Sequence, residues 1–183
     1  MTEPTDALDD ISRQLRLALA GDAVICDLTI SREFAIEILN LWSLLVQPDN
    51  LALWFAPVHG ELRPGGAYQV EGNASGAVTS CDAPFGFEAT WEYGESKATI
   101  IVALTEVERS RTSLSLRSIG LIPADAWREY GPGAVGIGWD LVMSGLWRHI
   151  RAGNVAAGAD TGRISPEETR TFINRSSQEG AER

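Results

Sequence analysis

Six strand-like segments follow one another between residues 60 and 118, separated by brief turns. They lie at 60–62, 67–71, 76–81, 85–93, 98–105 and 111–118. The turns are rich in Gly, Pro, Asn, Asp and Ser, the residues that favour tight turns. Because a parallel crossover needs a dozen or more residues, segments this close together must pair antiparallel. The chain is therefore expected to build an antiparallel sheet.

The segment 85–93 shows how this sheet must be covered. Its apolar residues fall on alternate positions, namely Phe85, Phe87, Ala89, Trp91 and Tyr93, and Glu or Thr occupies most positions between them. This alternation is typical of a strand with one buried and one solvated face. Another element must therefore pack on the apolar face.

Three helices are predicted around the sheet. Apolar residues recur at three- and four-residue spacing from residue 36, and Pro48 ends that run. A second short helix follows and reaches Trp54. Residues 133–151 form the long helix, whose apolar stripe is Trp139, Val142, Met143, Leu146 and Ile150. We expect this long helix to cover the sheet.

The N-terminal segment allows two interpretations. Leu15, Leu17 and Leu19 alternate with other residues and precede a turn and a clear strand at 24–34, which favours a hairpin. Leu8, Ile11, Leu15 and Leu19 also fit a helical stripe. We divide the chain into an N-terminal arm at 1–21, a main domain at 22–151, and a linker with a short C-terminal helix at 152–183, which starts near Ser165-Pro166.

Charge and cysteine content exclude several classes of function. The net charge is -10, which opposes binding to nucleic acid or to an anionic membrane surface. Two cysteines and two histidines do not make a metal-binding pattern, so we expect no metal and no cofactor. The longest apolar stretch, 35–46, is too short to span a membrane. Together with the absence of a visible signal peptide, these features predict a cytoplasmic protein.

Aromatic residues provide the candidate binding site. Six tryptophans are present, and Trp42, Trp54, Trp91 and Trp139 fall on predicted inward positions. Large aromatics form ordinary cores, but they also line cavities for small apolar ligands. The predicted pocket residues are Trp54, Tyr68, Val70, Phe87, Trp91, Tyr93, Val102, Leu116, Trp139 and Met143.

Other patterns are interpreted as structural. Gly131, Gly133 and Gly136 match the spacing of a dinucleotide-binding motif, but no parallel strand precedes them, so we expect a helix entrance with close packing or room for a ligand. His59 and His149 are expected at the surface or at a pocket rim. A nucleophilic set of Cys81, Asp82 and His59 is conceivable, although their spacing does not bring them together.

Several segments together resemble a known protein family. They are LALWFAPVHGELRPGGAYQVEGNASGAV at 51–78, FEATWEYG at 87–94 and GPGAVGIGWDLVMSGL at 131–146. With the predicted element order, they resemble bacterial relatives of the C-terminal domain of the activator of the heat-shock protein 90 ATPase, within the SRPBCC superfamily. The resemblance implies an α+β helix-grip fold, in which a curved antiparallel sheet wraps around a long C-terminal helix and two short helices follow the first core strand. It also implies a cavity between the sheet and the long helix.

The expected function is the binding of a small apolar, aromatic or lipid-like molecule in this cavity. One alternative is a cyclase- or hydrolase-like enzyme that uses His59, Tyr68 or Glu71 as an acid or base. The inward positions carry hardly any ionisable group, which favours binding over catalysis without deciding between them. A chaperone-associated or other interaction module is the third possibility. A chaperone partner is not expected, because the eukaryotic activator has a separate N-terminal domain that contributes to chaperone binding, and residues 1–21 are too few to supply it. A weak homodimer through Thr99, Ile101 and Ala103 on the outer sheet face is also predicted.

Overall fold

The computed structural model describes residues 10–123, 127–128 and 133–153. Within these ranges the chain forms two strands, two short helices, six further strands and one long helix. In chain order the elements are β1 (Ser12–Ala20), β2 (Ala23–Phe34), α1 (Ile38–Val46), α2 (Pro48–Trp54), β3 (Val58–Gly60), β4 (Ala67–Val70), β5 (Ser75–Asp82), β6 (Gly86–Tyr93), β7 (Ser96–Glu108), β8 (Arg111–Pro123) and α3 (Gly133–Arg151).

All eight strands belong to one antiparallel sheet with the order β1-β2-β8-β7-β6-β5-β4-β3. Every strand pair is antiparallel, as the short turns predicted. The register places Leu116 of β8 opposite both Ile30 of β2 and Val102 of β7. These three residues are buried, so they form a continuous apolar row on the inner face.

The long helix α3 packs on the inner face of the sheet. Met143 and Leu146 of α3 are each 1% exposed and belong to the same apolar core as β2, β7 and β8. Leu41 of α1 and Leu51 of α2 also join this core, so the short helices pack on the same side. The predicted helix-grip fold is confirmed.

Two tight hairpins set the register at the strand ends. The β1/β2 loop is Gly21-Asp22 and the β6/β7 loop is Gly94-Glu95, because Ala20 pairs with Ala23 and Tyr93 pairs with Ser96. Gly21 and Gly94 have φ angles of 61° and 58°. Glycine adopts this left-handed region without a steric penalty, which explains its place at the first position of both loops.

The structure resolves or corrects several details of the sequence prediction. The ambiguous segment before residue 21 contains a strand, β1, that pairs with β2 over nine positions. The strand predicted at 60–62 lies instead at Val58–Gly60, because Val58 is buried opposite Val70. The short helix predicted near residue 165 lies outside the described residues. No helix in the described ranges is both long and apolar enough to cross a membrane.

Candidate ligand-binding cavity

A cavity of about 350 Å³ lies between the inner face of the sheet and the three helices. This volume is within the range of small-molecule sites in proteins. The residues that line it are Trp42, Leu45, Val46, Leu51, Trp54, Phe55, Val58, Leu62, Tyr68, Val70, Val78, Cys81, Ala83, Phe87, Ala89, Trp91, Ile100, Val102, Leu114, Leu116, Trp139, Val142, Met143 and Leu146. The wall is therefore predominantly aliphatic and aromatic.

Two aromatic pairs join the helices to the sheet at the cavity wall. The rings of Trp91 on β6 and Trp139 on α3 have centroids 5.1 Å apart and planes inclined at 58°. Trp42 on α1 contacts Phe87 on β6 with centroids 6.2 Å apart and an interplanar angle of 66°. These tilted and edge arrangements are favourable for aromatic rings. They pack α1 and α3 against two inward-facing positions of β6.

The polar tips of two lining aromatics are bonded to backbone carbonyls. The Trp54 indole Nε1 donates to the Leu44 carbonyl oxygen at 2.9 Å, and the Tyr68 hydroxyl donates to the Thr90 carbonyl oxygen at 2.6 Å. Burial also raises the pKa of Tyr68 to about 12. The hydroxyl therefore remains protonated at neutral pH and does not act as a base there.

Nine of the ten predicted pocket residues line the cavity. They are Trp54, Tyr68, Val70, Phe87, Trp91, Val102, Leu116, Trp139 and Met143. Tyr93 is the exception, because it lies at the end of β6 beside the hairpin loop and is 60% exposed. It shares the phase of Phe87 and Trp91 but is not among the lining residues. Ligand binding by the other nine stays a prediction.

From the two short helices, the sequence prediction placed only Trp54 in the pocket and missed their other lining residues. Trp42, Leu45 and Val46 of α1 line the cavity together with Leu51 and Phe55. The three- and four-residue spacing from Trp42 to Leu45 and Val46 marks one helical face. That spacing does not distinguish a face packed on filled core from a face that borders an empty space.

The candidate catalytic residues do not meet in the cavity. His59 Nε2 lies 3.7 Å from Glu71 Oε2, but both side chains are about two-thirds exposed and neither lines the cavity. His59 is level with Ser75 of β5 in the sheet register, whereas Cys81 lies six residues further along that strand. At ~3.3 Å per residue this is roughly 20 Å. The Cys81, Asp82 and His59 set is therefore not assembled.

His149 differs from the sequence expectation of a surface or rim position. It is 3% exposed in the last turns of α3, and its ring nitrogens have no hydrogen-bond partner. Burial lowers its pKa from the usual value of 6.5. It is absent from the cavity wall. Within the described part of the chain, no group of three or more His, Cys, Asp or Glu side chains is placed to hold a metal ion.

The glycines of α3 also differ from the expectation of close packing. A Cβ atom added at Gly136 or Gly138 would meet no atom within 4 Å. Gly131 lies outside the described residues. The antiparallel sheet contains none of the parallel strand pairs that support a dinucleotide-binding turn. In the described ranges, the glycines therefore do not lie in the strand–turn–helix unit that binds a dinucleotide.

Comparison with known proteins identifies related folds. The family model described as "Activator of Hsp90 ATPase homolog 1-like protein" matches residues 36–150, which is more than half of the chain. The crystal structure of CalU16 from Micromonospora echinospora is 24% identical, with a TM-score of 0.71 over 93% of this chain and 96% of that one. The conserved protein of unknown function EF2215 from Enterococcus faecalis is 16% identical, with a TM-score of 0.65 over 92% and 91%. No curated protein is significantly similar in sequence. At these identities the structural matches show a shared fold.

Proposed function

The chain belongs to the Activator of Hsp90 ATPase homolog 1-like family, and on that premise we propose that it binds a small apolar or aromatic molecule between its sheet and its helices. The observation that carries this proposal is the cavity of about 350 Å³. A well-packed core leaves few voids larger than a water molecule, so a space of this size with an apolar wall is typical of a ligand site.

The chemistry of the wall supports an uncharged ligand. No carboxylate, imidazole, ammonium or guanidinium group is found among the lining residues in the described ranges. The hydroxyl of Tyr68 and the indole N–H of Trp54 are already bonded to backbone carbonyls. A charged ligand would lose its hydration without gaining a partner in this wall. An apolar ring system has no strong hydration to lose.

Binding is favoured over acid–base catalysis for the same reason. General acid–base catalysis requires a titratable group within hydrogen-bond reach of the reacting atoms. Tyr68 and Cys81 are the titratable residues of the described wall, and the pKa of Tyr68 is about 12. His59 and Glu71 lie outside the cavity. The proposal is therefore a carrier or sensor rather than a hydrolase.

Mass spectrometry of molecules released from the purified protein tests this proposal. Ala89 of β6 is 2% exposed and lines the cavity, so Ala89→Phe should fill part of the space. Ala103 of β7 is exposed, and Ala103→Phe is the matched control. We expect a small apolar molecule to be released from the wild type and from Ala103→Phe, and to be depleted in Ala89→Phe. Equal release from all three proteins would refute binding in the cavity.

We also propose that the protein works in the cytoplasm. Cys26 of β2 is buried, Cys81 of β5 is exposed, and both are free thiols. Free thiols persist in reducing compartments, where disulfides are rare. Measuring the redox state of Cys81 in its native cells would test this: we expect a reduced thiol, and a mixed disulfide in most copies would count against it.

A further inference from the structure

The edge strand β1 carries an exposed row of leucines. Leu15, Leu17 and Leu19 point to the inner face of the sheet and are 43%, 47% and 87% exposed. Their partners on β2 are, in the same order, Leu28, Cys26 and Val24, which are buried. The apolar surface of the sheet therefore continues outward past its covered part and ends on β1.

This edge has few of the features that usually keep sheet edges apart. β1 pairs with β2 over nine consecutive positions without a bulge, and its sequence, SRQLRLALA, contains no Pro and no Lys. Natural edge strands are commonly protected by these residues, by bulges or by a cover. No strand of the described ranges pairs with the outer edge of β1.

One of the two charges of β1, that of Arg13, is paired within the same chain. The Arg13 guanidinium donates from Nε to both carboxylate oxygens of Asp140, at 3.0 and 3.1 Å. Arg16 lies directly opposite Asp27 on β2, whose carboxylate also accepts two hydrogen bonds from Arg117. Arg13 therefore adds no free charge to this edge, and the charge of Arg16 limits the registers that a second strand can take.

One register lets β1 pair with a second copy of itself so that all of its leucines meet and no two arginines face each other. If Leu17 lies on the two-fold axis of an antiparallel pair, Leu17 faces Leu17 and Leu15 faces Leu19 of the other copy. Six leucines then form one row, and each Arg16 faces Ala18. If Arg16 lies on the axis instead, two arginines stand opposite each other, which is destabilising. Registers centred on Leu15 or Ala18 also keep the arginines apart but pair fewer leucines, so the Leu17-centred register is favoured.

From these observations we propose that two copies of the chain associate through β1, forming a continuous antiparallel sheet with Leu17 on the two-fold axis. A two-fold contact uses the same patch on both subunits, and the row of Leu15, Leu17 and Leu19 is complementary to itself in this register. The interface is one strand wide and lies at the small end of protein interfaces, so the dimer is weak. The net charge of -10 on each copy opposes association at low salt.

Sedimentation velocity of the full chain over a concentration series, at 0.05 and 0.5 M NaCl, tests the proposal. We expect the mass to rise from 19.8 kDa towards twice that value, and to rise at lower concentration in high salt. Leu17→Lys places two like charges on the axis and should weaken the dimer by at least about tenfold. Leu121→Lys is the matched control, because Leu121 is 53% exposed and points to the other face of the sheet.

Three outcomes would overturn the proposal. The first is a wild-type chain that stays monomeric at millimolar concentration. The second is a Leu17→Lys variant that dimerises as well as the Leu121→Lys control. The third is loss of the dimer in Ile101→Lys but not in Leu17→Lys, which would place the interface on the outer face of β7. Circular dichroism of each variant confirms that the fold is retained.

Discussion

The indole rings of Trp91 and Trp139 lie 5.1 Å apart, and this contact joins the central part of β6 to the long helix. Both side chains are only partly buried, and both border the cavity. The same rings therefore serve to pack the helix on the sheet and to form the surface that a ligand would touch.

Replacement of Trp91 should separate binding from stability. Trp91→Phe removes ring surface beside an existing space, so we expect altered ligand affinity with a smaller loss of stability than Leu41→Ala causes. Leu41 is 0% exposed and does not line the cavity. Its truncation should cost about 2–5 kcal/mol of unfolding free energy and leave binding unchanged. Urea melts and ligand titrations of both variants measure this. If Trp91→Phe is as destabilising as Leu41→Ala and leaves binding unchanged, Trp91 is ordinary core.

The hydroxyl of Tyr68 predicts a loss of stability at high pH. Its pKa is about 12 in the folded chain and close to 10 when unfolded, because burial disfavours the phenolate. The stabilisation is therefore complete below pH 10 and is lost as the pH rises towards 12. In Tyr68→Phe this contribution is absent, so its urea melts between pH 9 and 11.5 should lose less stability than those of the wild type. An equal loss of stability in the wild type and in Tyr68→Phe over this pH range would contradict the burial of the hydroxyl.

His149 predicts a change of stability on the acid side. Burial lowers the pKa of its imidazole below 6.5 in the folded chain, so the unfolded chain binds the proton more readily. Stability should therefore fall as the pH drops through 6.5 towards the folded pKa. His149→Leu keeps the site apolar and removes two unbonded ring nitrogens. Denaturant melts from pH 7.5 to 5 should show a flatter profile for this variant, and an unchanged slope would argue against a buried neutral imidazole.

The glycines of α3 predict a gain of stability. A Cβ atom at Gly136 would meet no atom within 4 Å, so Gly136→Ala should stabilise the helix by about 0.5–1 kcal/mol through reduced chain entropy. Gly86 of β6 is the contrasting position, because an added Cβ there would clash with the Val102 carbonyl oxygen. Thermal melts should show a higher Tm for Gly136→Ala and a lower Tm for Gly86→Ala. A lower Tm for Gly136→Ala would mean that something packs against that position.

Two local features of the sequence, hydrophobic periodicity and turn length, predicted much of the sheet. The alternation around Phe87 and Trp91 predicted the inner face of β6, and the brief turns predicted the antiparallel pairing. The same alternation wrongly placed Tyr93 in the pocket, because the pattern of a strand does not show where the helices that cover the sheet end. The leucines of β1 fitted both a strand and a helix, and the pairing of Ala20 with Ala23 across a two-residue loop decides for the strand. His149 was misplaced because burial depends on tertiary packing.

The most direct test of the account is a titration with N-phenyl-1-naphthylamine, an uncharged aromatic fluorophore, followed by energy transfer from tryptophan. Trp42, Trp54, Trp91 and Trp139 line the cavity, so a bound probe lies close to several donors. We expect saturable binding of one probe per chain by the wild type and by Ala103→Phe, and at least about tenfold weaker binding by Ala89→Phe. No saturable binding by the wild type, or equal binding by Ala89→Phe, would contradict a ligand site in the cavity.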